Sequence, residues 1–416
     1  MSQFIFKSYS FDPSKSLAKF EYGFDDGRNF CETVTFQSVD NYNNQILGKA
    51  MFLAFIIIGT SYYKTFSSAT VKLDMALDEW QVEFFNKVYQ EGMGQFAFEN
   101  DLTRDDLAHF TASKQTTINE NQYDGVGTLA LQSGGKDSLL TAELLSESGK
   151  EFVSLYISSS DNYPKVLNKI GSELVLSRRN IDHNGLRQAE VDGGKKGHVP
   201  VTYIVQSLAI IQAILLNKNE VITSIAHEGE EPHAHIGDLA VNHQWSKTWA
   251  AEVAFSDYVS RYISPNLHIR SLIRGYSELR VAEMFVDKVW AKHGHEFSSC
   301  NLANYKQGND NSVLKWCGDC PKCANSYLLF APFLQANELK SLFDNQDLFA
   351  KPSLENTFKG LLGIDEVMKP FECVGEVNEL SLAYHMSHKK GDYAQLPFDV
   401  PESDFDYLKT YIAQEW

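Results

Sequence analysis

The chain has 416 residues, of which 43% are hydrophobic and 22% charged, an ordinary composition for a soluble globular protein of two or three domains. Its formal net charge of −17 argues against a nucleic-acid partner, because such binding depends on Lys and Arg at the phosphates. The most apolar run, residues 51–59, is too short for a membrane span, and the N-terminal residues lack the apolar region of a signal peptide. We therefore expect a cytoplasmic protein that acts on small molecules, with no nucleic acid and no membrane among its partners.

The first 115 residues predict an α+β domain without a visible catalytic motif. Alternating apolar residues indicate strands, and a long apolar stretch of helical periodicity indicates a buried central helix. The predicted elements are strands at residues 3–9, 17–24, 31–37 and 69–73, and helices at residues 44–65, 77–92 and 101–113. The polar residues 114–124 are the predicted linker.

From residue 125 the pattern changes to alternating strands and helices, which predicts an α/β domain over residues 125–300, built on a doubly wound parallel sheet. We expect strands at residues 127–132, 151–158, 173–177, 220–226 and 267–274, and helices at residues 137–148, 163–171, 200–217, 242–263 and 277–293. Ligands bind beyond the C-terminal ends of the strands in such a sheet. The turn after the first of these strands and the segments after Ile157 and Ile225 should therefore share one cleft.

The turn in question is SGGKDS, which joins a predicted strand to a predicted helix. Such a turn presents backbone N–H groups and the positive end of a helix dipole to an anion, and adjacent glycines let the backbone come close. Its spacing is not that of a Walker A loop, and an ordinary turn is the alternative interpretation. The predicted nucleotide-binding residues are Ser133, Gly134, Gly135, Lys136, Asp137 and Ser138.

Cysteines near the C-terminus have the spacing of a metal site, and four thiolates suit a closed, structural zinc site. The predicted ligands are Cys300, Cys317, Cys320 and Cys323. His293 or His295 could replace the first of them, and buried free cysteines are the alternative to a metal site. We expect a helix to begin near Pro321 and the region of residues 301–416 to be cysteine-rich, zinc-braced and mostly helical.

Groups suited to proton transfer occur in three further stretches: a glycine-rich loop at residues 193–202, the run HEGEEPHAH at 227–235 and the run NHQWSK at 242–247. Asn242 is a candidate helix cap, which would place the histidine and lysine that follow it on one helix face. Each stretch is also explained by a solvated loop or surface residues. The candidates are His198, His227, His243 and Lys247, and the residues alone do not rank them.

The SGGKDS run resembles the PP-loop of the N-type ATP pyrophosphatases, HUP-like proteins that cleave ATP between the α and β phosphates. Nearly the whole chain resembles the ATP-dependent UDP-N-acetylmuramoyl-L-alanyl-L-glutamate epimerase family of bacterial cell-wall synthesis. The resemblance is carried by SYYK at 61–64, GMGQFA at 92–97, SGGKDS at 133–138, GHVPVT at 197–202, NHQWSK at 242–247, SELR at 277–280, WCGDCPKC at 316–323 and APFL at 331–334. The run IAHEGEE at 225–231 departs from the Ser-Asn-Glu-Arg-Ser type of run at that position in the family.

The resemblance implies ATP and Mg²⁺ as cofactors and a UDP-sugar dipeptide as the substrate. Its terminal L-glutamate would be activated as an acyl-adenylate, deprotonated at Cα, reprotonated on the other face and released by water as D-glutamate. Two other functions remain open at this point. One is a PP-loop enzyme that passes the adenylate to an amine, such as an amide ligase or a 7-cyano-7-deazaguanine synthase-like enzyme. The other is a nucleotide-binding protein without enzymatic activity.

Overall fold

The computed structural model describes residues 2–115, 122–305 and 309–415. Its strands are β1 (Phe4–Asp12), β2 (Leu17–Phe24), β3 (Asn29–Thr35), β4 (Val71–Leu73), β5 (Thr128–Leu131), β6 (Phe152–Ser158), β7 (Glu173–Asn180), β8 (Glu220–Thr223), β9 (Ala234–Ile236), β10 (Leu239–Val241) and β11 (His268–Ser271). Nine of them form one sheet in the order β11-β8-β5-β6-β7-β3-β2-β1-β4, and β9 and β10 form a separate hairpin.

The large sheet has a parallel half and a mainly antiparallel half. Strands β11, β8, β5, β6 and β7 pair in parallel, which confirms the predicted parallel sheet. Strand β7 then pairs antiparallel with β3, and β3, β2 and β1 continue the antiparallel order. One sheet therefore runs across the predicted linker. The division into domains at residues 115, 125 and 300 stays a prediction, as does the PP-loop type of the fold.

The helices lie on the sheet and at the C-terminal end of the chain. They are α1 (Asn44–Ile58), α2 (Thr60–Tyr63), α3 (Glu79–Gln90), α4 (Gly94–Glu99), α5 (Lys136–Glu147), α6 (His183–Val191), α7 (Val201–Leu215), α8 (Trp249–Tyr258), α9 (Glu278–Lys288), α10 (Trp290–His293), α11 (Asn301–Asn304), α12 (Pro321–Phe330), α13 (Ala336–Ser341), α14 (Glu355–Leu361) and α15 (Val377–His388). The last five make the C-terminal region helical, as predicted.

Helix α1 is the predicted central helix of the N-terminal region. The Asn43 side chain caps it by accepting hydrogen bonds from the N–H groups of Gln45 and Ile46 at 3.1 and 3.0 Å. The helical stretch Asn44–Phe66 is the one in the described chain that is long and apolar enough to cross a membrane. Because 83% of its most apolar window is buried and α1 packs against α7, it is a core helix of the fold.

The helix predicted at residues 101–113 is wrong, since only the 3-10 turn Arg104–Asp106 forms there. The Asp106 carboxylate accepts hydrogen bonds from the backbone N–H and hydroxyl of Thr103 at 2.9 and 2.8 Å, which closes a local turn in place of a helix. The chain after the turn is held by a tertiary contact, because the N–H of His109 donates to the carbonyl of Ala69 at 2.9 Å.

The helix predicted at residues 242–263 begins later than expected. Asn242 does not cap it, because its side chain donates to the Gly229 carbonyl at 2.6 Å and accepts from the N–H of Gln244 at 2.8 Å. Thr248 caps α8 instead, and a π-helical turn at Val259–Ile263 follows α8. The residues from 242 to 247 are therefore outside the α-helix, and the expectation that His243 and Lys247 share one helix face is wrong.

Three further elements differ from the prediction. The predicted helix at residues 163–171 is reduced to the 3-10 turn Lys165–Lys169, whose first N–H donates to the Ser312 carbonyl at 2.9 Å. Helix α6 was not predicted, and its N-cap is Asp182, whose carboxylate accepts from the N–H of Gly185 at 2.8 Å. The hairpin of β9 and β10 was also not predicted, because each of its strands has only three residues.

Candidate active site

The SGGKDS turn has the predicted strand–turn–helix geometry between β5 and α5. Gly134 has φ +80°, a left-handed conformation that glycine adopts without strain. The hydroxyl groups of Ser133 and Ser138 lie 3.2 Å apart, and the Ser138 hydroxyl donates to the Gly135 carbonyl at 3.2 Å. The turn is thus fixed by its own side chains, with the N-terminus of a twelve-residue helix at its end.

A cavity of about 860 Å³ opens beyond the C-terminal ends of β5, β6 and β8. Its lining includes residues of the turn and residues that follow Ile157, as predicted. Of the third segment it includes Ile225 but none of the described residues 226–235, so that part of the predicted shared cleft is not confirmed. Four of the six predicted nucleotide-binding residues line it: Ser133, Gly135, Asp137 and Ser138. The volume is within the range that small-molecule ligands occupy in proteins.

Several buried polar atoms of this cavity have no hydrogen-bond partner within the described protein. They are both amide atoms of Gln132, Oε1 of Gln206, Oγ1 of Thr223, Oγ of Ser224 and Oδ1 of Asn311. Buried polar groups are nearly always paired, so these atoms call for a further partner, either ordered water or a polar ligand. A nucleotide suits the site, because it brings hydrogen-bonding base and ribose groups together with phosphates for the helix N-terminus.

Lys136 is not in the cavity lining and is buried behind the turn. Its Nζ lies 2.5 Å from Oδ1 of Asp137 and 3.4 Å from Oε1 of Glu278. Burial alone would lower the pKa of Lys136, but the carboxylates of Asp137, Glu278 and Glu228 outweigh it and the pKa is raised. The ammonium is therefore charged, and a phosphate contact requires it to turn away from these partners.

His198 and His243 lie together although they are distant in sequence, with ring centroids 4.5 Å apart. Burial lowers the pKa of His198 to about 3, and burial likewise lowers that of His243 to about 4. Both rings are consequently neutral near pH 7. The charges of Lys247 and Lys322, which line the cavity, also act to lower the pKa of His243. Neither His198 nor His243 is itself among the residues that line the cavity.

The tautomer of His243 follows from its contacts. Nε2 of Gln95 donates to the Glu99 carboxylate at 2.6 Å, so Oε1 of Gln95 faces Nδ1 of His243, also at 2.6 Å, as the acceptor. Nδ1 therefore carries the proton, and Nε2 has a free lone pair. A third ring, His233, lies 6.3 Å from His243 and stacks on Phe371 at 5.1 Å.

His227 is not part of this imidazole group. Its ring stacks on that of Tyr411, with ring centroids 3.5 Å apart. Its backbone N–H donates to the backbone carbonyl of Tyr276 at 2.8 Å. Burial lowers the pKa of His227 to about 4. The structure thus brings two of the three predicted histidines together and leaves His227 beside the C-terminal segment, where its role in proton transfer stays a prediction.

Lys247 lines the cavity, as expected for a residue of the cleft. Its Nζ lies 3.3 Å from both carboxylate oxygens of Glu228, which is buried. Burial acts to lower the pKa of Lys247, but Cys373, Glu228 and further acidic groups outweigh it, so the pKa is raised and the side chain is an ammonium ion. The backbone carbonyl of Lys247 accepts from the buried Arg274 at 2.7 Å, which fixes its position.

Four cysteines of the C-terminal region lie close together, next to residues that line the cavity. Their sulfur atoms all lie within 4.8 Å of one another. Three of the sulfur–sulfur distances are 3.5, 3.6 and 3.7 Å. A tetrahedral zinc ion with Zn–S bonds of about 2.3 Å places its sulfurs about 3.8 Å apart, so the cluster could bind a metal ion such as zinc. The cluster is Cys300, Cys317, Cys320 and Cys323, and it includes neither His293 nor His295.

Sequence reasoning missed four residues of the site. His233 lies within the HEGEEPHAH run and was not singled out from it, and Gln95 lies in the GMGQFA stretch. Lys322 lies between two of the predicted cysteine ligands and lines the cavity. Gln206 is on the buried side of α7, where an amide among apolar residues was a signal that could have been used.

Two family models match the chain. The model of the MurL N-terminal domain matches residues 1–272, and that of the MurL C-terminal domain matches residues 296–400. Three curated relatives carry the name UDP-N-acetyl-alpha-D-muramoyl-L-alanyl-L-glutamate epimerase. The relative from Xanthomonas oryzae pv. oryzae is 30% identical, with 95% of this chain and 88% of the relative covered. Those from a Micromonospora species and from Salinispora tropica are 29% and 30% identical, with 95% of this chain and 89% and 87% of the relatives covered.

Among solved structures, a diaminopropionate ammonia lyase from Escherichia coli is 10% identical to this chain. The match covers 68% of this chain and 83% of the lyase chain. Its TM-score of 0.12 carries no argument about this fold.

Proposed function

This chain belongs to the MurL family of epimerases, and from that premise we propose that it inverts the terminal L-glutamate of UDP-N-acetyl-α-D-muramoyl-L-alanyl-L-glutamate to D-glutamate at the expense of ATP. The observation that carries the proposal is the match over nearly the whole chain to relatives with that name. The cavity beside a phosphate-binding type of turn supports the use of a nucleotide. The six cysteines form no disulfide, and four of them are grouped as a possible metal site, which supports a cytoplasmic reaction.

ATP would serve to make the Cα–H of glutamate acidic. A carboxylate resists loss of an α-proton because the product would carry two adjacent negative charges. In the proposed first step, an oxygen of the α-carboxylate attacks the α-phosphorus, the bond to the bridging oxygen of the β-phosphate breaks, and pyrophosphate leaves. The turn Ser133–Ser138 and the N-terminus of α5 would hold the phosphates. Asp137 is the acidic group at this end of the cavity and would help to hold Mg²⁺.

His198 and His243 would exchange the proton at Cα. Both are neutral near pH 7, and His243 has a free lone pair at Nε2, as a general base requires. Lys247 is an ammonium ion and would instead stabilise the enolate-like charge that forms when the proton leaves. One imidazole takes the Cα proton and becomes an imidazolium ion, the other relays a proton from solvent to the opposite face, and the first proton then passes to solvent, so that both rings end neutral. Water then attacks the acyl carbon, the bond between that carbon and the AMP oxygen breaks, and AMP, a proton and the D-glutamate carboxylate are released.

The four cysteine thiolates would hold a zinc ion whose contribution is structural, since a closed set of four sulfur ligands leaves no position for a substrate.

The test is to supply ATP with the UDP-sugar dipeptide and to follow pyrophosphate, AMP and D-glutamate. We expect one AMP for each D-glutamate formed, and a loss of activity of at least about a hundredfold in Ser133→Ala, which removes a hydroxyl that ties the turn. Ser146→Ala is the matched control, because that hydroxyl binds the Ala142 carbonyl at the far end of the same helix. Pyrophosphate release that requires an amine and an unrelated acid would instead identify a ligase.

A further inference from the structure

Residues adjacent to the cysteine cluster form one wall of the active-site cavity. Ser298 and Ser299, which precede Cys300, line the same cavity as the SGGKDS turn. The Ser299 hydroxyl lies 3.4 Å from the point where a Cβ on Gly135 would lie. Tyr305 donates a hydrogen bond to the Ser133 carbonyl at 3.3 Å. The segment that carries a cysteine of the cluster is therefore in direct contact with the turn.

Lys322 is the cation that this wall presents to the cavity. It is the second residue of α12 and lies between Cys320 and Cys323, whose sulfurs are 3.5 Å apart. Its Nζ lies 2.9 Å from the backbone carbonyl of Cys373, to which it donates. The cysteines on either side fix its backbone, and the carbonyl fixes its side chain.

Nζ of Lys322 has no carboxylate oxygen within 4.0 Å in the part of the chain that the structure describes. The other lysines near the cavity differ in this respect: Lys247 pairs with Glu228, and Lys136 with Asp137 and Glu278. A zinc ion held by four thiolates would leave a net charge of −2 close to Lys322, but the ammonium group, which lines the cavity, has no carboxylate partner of its own. An anion bound in the cavity would give it a direct partner.

We propose that Lys322 binds an anionic oxygen of a substrate in this cavity, and that the cysteine cluster serves to hold this lysine in place. The anion is a phosphate of the nucleotide or an anionic group of the UDP-sugar dipeptide. The choice between these two rests on the proposed function. The charge of Lys322 and its position in the cavity wall are independent of the proposed function.

The experiment measures binding without turnover. Dissociation constants are determined by calorimetry for Mg·ATP alone and for the UDP-sugar dipeptide alone, with the wild-type protein, Lys322→Gln and Lys322→Arg, and zinc content is measured for each. Lys351→Gln is the matched control, because Lys351 also donates to a carbonyl of the cysteine loop, that of Gly318 at 2.9 Å, and pairs with Asp319 away from the cavity.

We expect Lys322→Gln to weaken binding of one of the two ligands by about tenfold or more, the usual effect of losing a charged hydrogen bond. Lys322→Arg should retain most of the affinity and Lys351→Gln all of it, with equal zinc in every variant. Weaker binding of ATP identifies a phosphate contact, and weaker binding of the dipeptide identifies its anionic groups.

Unchanged affinity of Lys322→Gln for both ligands would overturn the proposal, and so would an equal loss in the glutamine and arginine variants, which would indicate a structural role. A wild-type protein that binds both ligands but forms no D-glutamate would contradict the proposed function and leave the role of Lys322 intact.

Discussion

Burial and neighbouring charges set the protonation states of the groups proposed for proton transfer. Burial lowers the pKa of both His198 and His243, and no described carboxylate lies within 4.0 Å of either ring nitrogen, although the charges of Glu372 and Glu99 act to raise the pKa of His243. Lys247 is as deeply placed but has Glu228 at 3.3 Å, so it stays charged. Neighbouring residues of the fold therefore enlarge the difference in pKa that residue type already sets between an imidazole and an ammonium group. The sequence predicted these three side chains as candidates but not this division of roles.

The low pKa of His243 has a consequence for stability. In the folded state this pKa is about 4, whereas a histidine in the unfolded chain has a pKa near 6.5. Between these two values the unfolded chain binds a proton that the folded chain does not, so stability is complete above about pH 6.5 and is lost as pH falls towards 4. The expected loss from this one group is on the order of 1–3 kcal/mol.

Replacement of the ring tests this directly. We expect the free energy of unfolding of His243→Gln to fall less between pH 7 and pH 4 than that of the wild-type protein. The control is His235→Gln, since His235 is exposed on β9 and its replacement should leave the wild-type slope unchanged. The free energy of unfolding is measured by denaturant titration at each pH. The same dependence on pH in the wild-type protein and in His243→Gln would contradict the low pKa of His243.

At the scale of the element, the SGGKDS turn was predictable because strand, glycines and helix follow one another within one short stretch. The wrong predictions were those in which a local turn or a distant partner intervened. Asp106 closes a turn on Thr103, and the Asn242 side chain binds Gly229 in place of capping a helix. In each case a side-chain hydrogen bond competes with the helix, and the partner cannot be identified from periodicity.

Two glycines at the ends of α5 allow the turn to be tested against the helix. Gly134 and Gly149 both have positive φ, +80° and +71°. A Cβ on Gly134 would lie 2.8 Å from Cδ1 of Leu314 and 3.2 Å from Pro164, whereas nothing lies within 4 Å of one on Gly149. We expect both alanine variants to lose about 1–2 kcal/mol of stability through backbone strain.

Only Gly134→Ala should also weaken ATP binding, by at least about tenfold, because the turn must shift to accommodate the added methyl group. Denaturant unfolding gives the stability of each variant, and calorimetry gives its ATP affinity. Equal ATP affinities in the two variants would show that the turn does not contact the nucleotide.

At the scale of the whole molecule, the parallel half of the sheet and the helical C-terminal region were predictable from the alternation of elements. The joining of β7 to β3 was not, because it pairs residues near 34 with residues near 179 and no local pattern specifies such a contact. The same limit applies to the site. Its members come from the SGGKDS turn, the imidazole group and the cysteine cluster, and only the fold brings Lys322 to the cavity wall.

The central claim is that activation by ATP makes the glutamyl Cα–H exchangeable. The most direct measurement is mass spectrometry of the UDP-sugar dipeptide after incubation in D₂O with and without ATP. We predict solvent deuterium at the glutamyl Cα of the D-epimer only when ATP is present and AMP is released. Deuterium at that carbon without ATP, or ATP cleavage with no deuterium and no D-glutamate, would contradict the account.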